Sequence, residues 1–198
     1  MSRKILAHFR KVDPVLAKAA KKVWPVELKW RQTNDFFAAL CSAIVGQQLS
    51  DKVGDVLYAR LVEVCRGKVT PEKILKLTEQ QLRDTGMSWS KVKFITNLAQ
   101  KVKSEEIKLE QLTQMADELV IAELTKLHGI GPWTAEMFLM FSLGREDVFS
   151  HGDLGLRRSI KKLYGFKTDP SKQQIEKIVK KWSPYRTYAC LVLWKAVD

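Results

Sequence analysis

The sequence predicts an all-α fold, a compact helical domain drawn as two helical lobes with a cleft between them. Three observations carry this. Apolar residues recur three and four positions apart, and the two-residue alternation of strands is nearly absent. Ser, Thr or Asp precede many of these runs, as helix caps do. The breaks between runs are rich in Gly and Pro. With no long linker, low-complexity run or internal repeat, the chain is expected to form a single domain over residues 1–198.

The elements follow in order. MSRKILAHFRKVDP reads as an amphipathic helix that packs on the domain. Its charges interrupt its only apolar stretch, so it is not expected to be a secretory signal. Asp35 opens a helix through FFAALCSAIVGQQ, apolar around most of its circumference and therefore expected to be buried. Ser50 opens DKVGDVLYARLVEVC, and Gly67 to Pro71 break the chain. The short pieces EKILKL and EQQLRDTG come next. Ser90 is expected to cap KVKFITNLAQKVKS, where Val92, Ile95, Leu98, Ala99 and Val102 share a face. Two more short helices lead to Leu127. Beyond Asp153 lie LGLRRSIKKLYG, QQIEKIVKKW and YRTYACLVLWKAV.

Composition narrows the function. Lys and Arg number 34 against 22 Asp and Glu, a formal charge of +12. Such an excess favours a polyanionic partner, nucleic acid first and an anionic membrane second. Charge alone leaves an ordinary basic protein equally open. No apolar run approaches the ~20 residues of a membrane span. Cys41, Cys65 and Cys190 are too few and too scattered for a disulfide framework or a zinc site, which suits a reducing compartment.

The most informative stretch is LHGIGPWTAEMFLMFSLGREDVFSHGD, residues 127–153. Gly129 and Gly131 permit positive φ and close backbone approach. Pro132 suits a first helical turn, where its missing N–H costs nothing. The turn thus offers backbone N–H groups at a helix N-terminus, a device for holding phosphate. A lone G-x-G is also common in turns that bind nothing. Here it stands in a strongly basic chain and is followed at a fixed distance by GDLGLRR.

LHGIGPWTAEMFLMF, DVF and GDLGLRR together resemble the signature of the helix-hairpin-helix DNA glycosylase superfamily, closest to the compact, all-helical 3-methyladenine DNA glycosylase II type. AIVGQQLSDKVGDVLYARL, TGMSWSKVKFITNLA and SPYRTYACLVLWKA agree with it, so the likeness runs from about residue 34 onward. It implies a monofunctional glycosylase of base excision repair. Such an enzyme flips an alkylated purine out of double-stranded DNA, cleaves its N-glycosidic bond and leaves an abasic site. Lyase members carry a lysine two residues past the second glycine. Here that residue is Trp133, so no Schiff base forms there. Only Cys190 lies near the C-terminus, which excludes the Cys₄ iron–sulfur cluster of another branch. No cofactor is expected beyond a monovalent cation on the carbonyls of Thr125, Leu127 and Ile130. A monomer with no membrane partner is expected, cytoplasmic and nucleoid-associated in a prokaryote or nuclear in a eukaryote.

The resemblance also assigns residues. Asp153 is the catalytic carboxylate, which would stabilise positive charge growing on the sugar. From the residues alone an N-cap role fits equally well. Asp147 is the competing carboxylate and reads as structural. The family often has proline after the DVF-type segment; this chain has Ser150 and His151, and His151 reads as a solvated loop residue. Trp133 and Trp194 match the base pocket, where a ring face attracts a cationic base; a core role remains open for each. Gly129, Gly131 and Thr134 are assigned to DNA, with Gln48 as the wedge that fills the gap left by the flipped base and Leu49 as its apolar neighbour. Alternatively Leu49 is core and Gln47 and Gln48 are polar turn residues. Lys52, Lys91 and Lys93 start helices where they could meet phosphates. Two other functions fit: a glycosylase for an oxidised or deaminated base, or a non-catalytic hairpin module for DNA binding.

Overall fold

The computed structural model describes residues 3–26 and 35–197, and among them it contains helices and no strand. The chain divides into two compact units, Arg31–Phe138 and Met1–Trp30 with Leu139–Asp198.

In Arg31–Phe138 the order is α3 (Phe36–Gly46), α4 (Asp51–Val64), α5 (Pro71–Lys76), α6 (Glu79–Asp84), α7 (Trp89–Lys103), a 3₁₀ turn (Leu109–Gln114), α8 (Asp117–Thr125) and the start of α9 (Pro132–Phe141). Asp35 caps α3 by accepting the Ala38 N–H at 3.0 Å. The apolar circumference of α3 is satisfied on several sides, because it packs on α4, α7 and the 3₁₀ turn. Leu40, Ile44, Val92 and Ile95 are fully buried there. Burial holds the Cys41 thiol well above its usual pKa, so it is an inert core residue. One boundary differs from expectation. The cap of α7 is Ser88, whose hydroxyl accepts the Lys91 N–H at 3.3 Å, and Ser90 lies within the first turn.

The second unit holds α1 (Arg3–Val12), α2 (Pro14–Val23), the end of α9, α10 (Leu154–Leu163), α11 (Lys172–Val179), a 3₁₀ turn (Lys180–Trp182) and α12 (Arg186–Val197). The expected N-terminal amphipathic helix is a pair, with Ile5 and Phe9 of α1 buried and α2 packed on α12. Asp13 fixes this pair. It caps α2 through the Leu16 N–H at 3.0 Å, and its other oxygen accepts Trp182 Nε1 at 2.9 Å and the Tyr164 hydroxyl at 2.5 Å. One buried carboxylate thereby ties α2 to the end of α10 and to the 3₁₀ turn. Burial and the neighbouring Asp13 push the Tyr164 phenol up, so it stays a donor.

Candidate active site and the hairpin loops

Within Arg31–Phe138 the hairpin turn runs from the end of α8 to Pro132, the first residue of α9. Ile130 N–H closes it onto the Leu127 carbonyl at 3.1 Å, and Ala135 N–H bonds the Gly131 carbonyl at 3.1 Å, which starts the α9 ladder. The next amides of α9 fall in the first turn, where a helix supplies no acceptor of its own. Gly129 is required here. Its φ is +88°, and a Cβ at this position would lie 2.2 Å from the Phe94 ring. His128 meets the same ring edge-on, with centroids 4.9 Å apart. Trp133 stands on the first turn of α9 and is 41% exposed, so its indole is a surface group.

Thr134 turns its side chain inward. It is 3% exposed, and its hydroxyl accepts Gln47 Nε2 at 3.1 Å. Its side chain is therefore an internal contact with Gln47. The same Gln47 amide donates to the Gly129 carbonyl at 2.9 Å. Gln47 is thus a bridge to the hairpin, a role the sequence reading did not give it.

The 45–50 turn that carries Gln47 has an unusual backbone. Gln48 has φ +58°, a left-handed conformation costing a non-glycine residue about 1 kcal/mol or more. Gln48 is exposed, and Leu49 is on the surface rather than in the core. Lys91 holds the turn from below. Its ammonium donates to the Val45 carbonyl at 2.7 Å and the Gln47 carbonyl at 2.9 Å. Partial burial pushes its pKa down. Lys91 is thus occupied with the C-terminal carbonyls of α3, and the expected phosphate contact is replaced by an internal one.

Within the other unit, Asp153 is 8% exposed and caps α10, accepting the Leu156 N–H at 2.7 Å. The same oxygen accepts Trp194 Nε1 from α12 at 3.2 Å. Both of these donors are neutral N–H groups, and together they fix the direction of Oδ1. Gly155 makes room for this pairing. A Cβ there would lie 3.1 Å from Asp153 Oδ1 and 3.4 Å from Trp194 Cδ1. Trp194 is half-buried, its ring 6.1 Å from that of Phe141 and tilted by 32°. Of the two alternatives for Asp153, the N-cap role is present in the structure, and the indole of Trp194 adds a second donor to the same oxygen.

The preceding loop is pinned by the first turn of α12. Arg186 grips Asp147 through Nε at 2.8 Å, Nη2 at 3.1 Å and its backbone N–H at 3.1 Å, and Ser183 adds its hydroxyl at 2.7 Å. Burial works against ionised Asp147, but these donors outweigh it and its pKa lies below the usual carboxylate value. Buried Thr187 accepts the Val148 N–H at 3.0 Å and donates to the Arg145 carbonyl at 2.6 Å. Asp147 is therefore engaged in holding the loop. His151 is partly buried rather than fully solvated. Its Nε2 lies 2.9 Å from Glu176 Oε2, its ring meets Phe149 edge-on at 4.9 Å, and its Nδ1 is buried without a partner. Burial lowers its pKa, with Glu176 pulling the other way, so it is expected neutral at pH 7.

Comparison with known proteins fits this geometry. The chain is 33% identical to a Bacillus subtilis DNA-3-methyladenine glycosylase over 198 residues, covering 94% of this chain and 65% of that protein. The crystal structure of a Bacillus halodurans DNA-3-methyladenine glycosidase superposes with a TM-score of 0.84 at 37% identity, over 98% of this chain and 89% of that one. The Schizosaccharomyces pombe 3-methyladenine DNA glycosylase Mag1, solved in complex with abasic DNA, gives 0.87 at 29% identity, over 97% and 95% of the two chains. Residues 41–184, which contain the hairpin, both aspartates and the 45–50 turn, match one family throughout. By that match the chain belongs to the HhH-GPD superfamily of base excision DNA repair proteins.

Proposed function

We propose that this protein is a monofunctional DNA glycosylase that hydrolyses the N-glycosidic bond of alkylated purines such as 3-methyladenine and 7-methylguanine. The observation that carries the reading is Asp153, a nearly buried carboxylate held through one oxygen by two neutral N–H groups. Cleavage of an N-glycosidic bond builds positive charge on the deoxyribose. A fixed carboxylate stabilises that charge and orients or deprotonates the attacking water. Alkylated purines carry a positive charge and leave readily, so no second acid is needed at the base. The exposed indole of Trp133 offers a face that attracts a cationic ring.

Trp133 occupies the position where an amine would form a Schiff base, which supports hydrolysis without strand cleavage. Three cysteines cannot supply the four thiolates of a Cys₄ cluster, which supports a cluster-free enzyme. The carbonyls of Thr125, Leu127 and Ile130 are oxygen donors of the kind a hard monovalent cation takes. Leu127 already accepts one N–H there and keeps a second lone pair. Such a cation would supply positive charge between the hairpin and a DNA phosphate. The enzyme is proposed to act as a monomer on damaged double-stranded DNA.

The test is single-turnover incubation with methylated duplex. Free 3-methyladenine should appear while the strand stays intact until alkali or heat is applied, and borohydride should trap no adduct. Excision confined to hypoxanthine or oxidised bases would reassign the substrate class. Binding without release from any lesion would reduce the protein to a DNA-binding module.

A further inference from the structure

We propose that Gln47 and Lys91 are positioning residues that lock the 45–50 turn to the hairpin, so that Gln48 and the hairpin amides engage a duplex as one body. The inference rests on the glycosylase reading, which assigns Gln48 to the gap left by a flipped base.

Three contacts triangulate the two loops, all within Arg31–Phe138. Lys91, in the first turn of α7, ties down the Val45 and Gln47 carbonyls. Phe94, one turn further along α7, fills the space that a side chain at Gly129 would need and meets His128 edge-on. Gln47 closes the triangle, reaching the Gly129 carbonyl on one side of the hairpin turn and the Thr134 hydroxyl on the other. A single bond between two loops leaves a hinge, whereas three contacts from one rigid helix and one bridging amide do not.

The chemistry of each group argues against a simpler role. An ammonium meant for phosphate gains nothing from partial burial, yet Lys91 is partly buried and spends two donors on carbonyls. A glutamine serving only as a polar turn residue would face water, yet Gln47 sends its amide into the hairpin while its neighbour Gln48 faces out in a left-handed conformation. The strained residue is thus the exposed one, and the residue just before it, Gln47, is pinned through both its carbonyl and its side-chain amide. A flexible turn would have to order Gln48 on each encounter; a pinned one presents it already formed.

The readout is the ratio of affinities for a duplex carrying a tetrahydrofuran abasic analogue and for the same duplex undamaged. Only the first offers a gap for Gln48. The whole chain is used, with thermal melts to establish folding. Gln47→Met keeps the bulk and removes both donors; Lys91→Met does the same at the other end. Each should lower the ratio about tenfold, as expected for losing two well-placed hydrogen bonds. Lys91→Arg, which can still serve two carbonyls, should restore it. Gln48→Ala should lower the ratio similarly, and Gln47→Met added to it should cost little more, because both act through one side chain. An unchanged ratio in folded Gln47→Met and Lys91→Met, or additive losses in the double variant, overturns the proposal while leaving the enzyme reading intact. A wild-type chain with no preference for the abasic duplex overturns both.

Discussion

Asp147 and Asp153 lie in one short passage of chain, the first partly exposed and the second nearly buried, and they are held by opposite means. Asp147 takes four donors, three of them from one arginine, and its charge is matched at contact distance. Asp153 is held through Oδ1 by a backbone amide and an indole. A guanidinium consumes a carboxylate's field, whereas a neutral N–H fixes its direction and leaves the field in place. The contrast sets a carboxylate that an arginine ties into a loop beside one whose Oδ1 is oriented by neutral donors, the arrangement that the proposed catalytic role calls for.

The largest effect should come from Asp153→Asn. Asparagine keeps an oxygen for Leu156 and Trp194, so stability should fall by at most about 1 kcal/mol. Single-turnover excision should fall by roughly 10²–10⁴-fold, as for one well-placed catalytic group. The loss should be smallest on 3-methyladenine and largest on a neutral base. Near-normal excision by this variant would remove the distinction between the two aspartates.

Gly155→Ala probes the same corner without touching the charge. Its methyl would crowd Asp153 Oδ1 and Trp194 by a few tenths of an ångström. Excision should drop about tenfold through misplacement. The melting temperature should hold or rise, since alanine gains up to about 1 kcal/mol over glycine in a helix. Parallel loss of activity and stability would mean that the corner is only packing.

Asp147→Asn is the opposite case, with excision expected within about twofold of wild type and stability lowered by about 1–2 kcal/mol at this partly exposed pair. Its pH dependence has a defined sign. The folded pKa of Asp147 is depressed, so its contribution is complete above the unfolded carboxylate value and lost as pH falls through the folded one. The melting difference between wild type and variant should therefore be full at pH 7 and shrink below about pH 4. A difference that grows on acidification would refute the pairing.

What could be read from the residues was what is written locally. The glycines and proline of the hairpin, and an aspartate before LGLRR, carry their meaning within a few positions. Ser88 and Ser90 both fit a cap pattern, and propensity alone does not choose between them; the structure starts α7 at Trp89. The remaining residues take their roles from partners far along the chain. Gln47 meets Gly129 and Thr134 across 82 and 87 residues, and Lys91 reaches Gln47 across 44. The inward turn of the Thr134 hydroxyl was hidden for the same reason, since nothing beside it in sequence shows the glutamine that donates to it. Trp194 was legible as an aromatic, but its bond to Asp153 spans 41 residues.

Position 129 has a consequence for how this hairpin can change over generations. It is sealed twice, by a φ of +88° and by a ring 2.2 Å from where a Cβ would stand. Trimming Phe94 opens the volume but leaves the backbone unfavourable to most side chains. Asparagine tolerates the backbone but still collides with the ring. Any path away from glycine therefore needs two coordinated changes, and the first of them, at Phe94, already loosens the support of the hairpin. Drift at this residue is blocked by epistasis as well as by sterics.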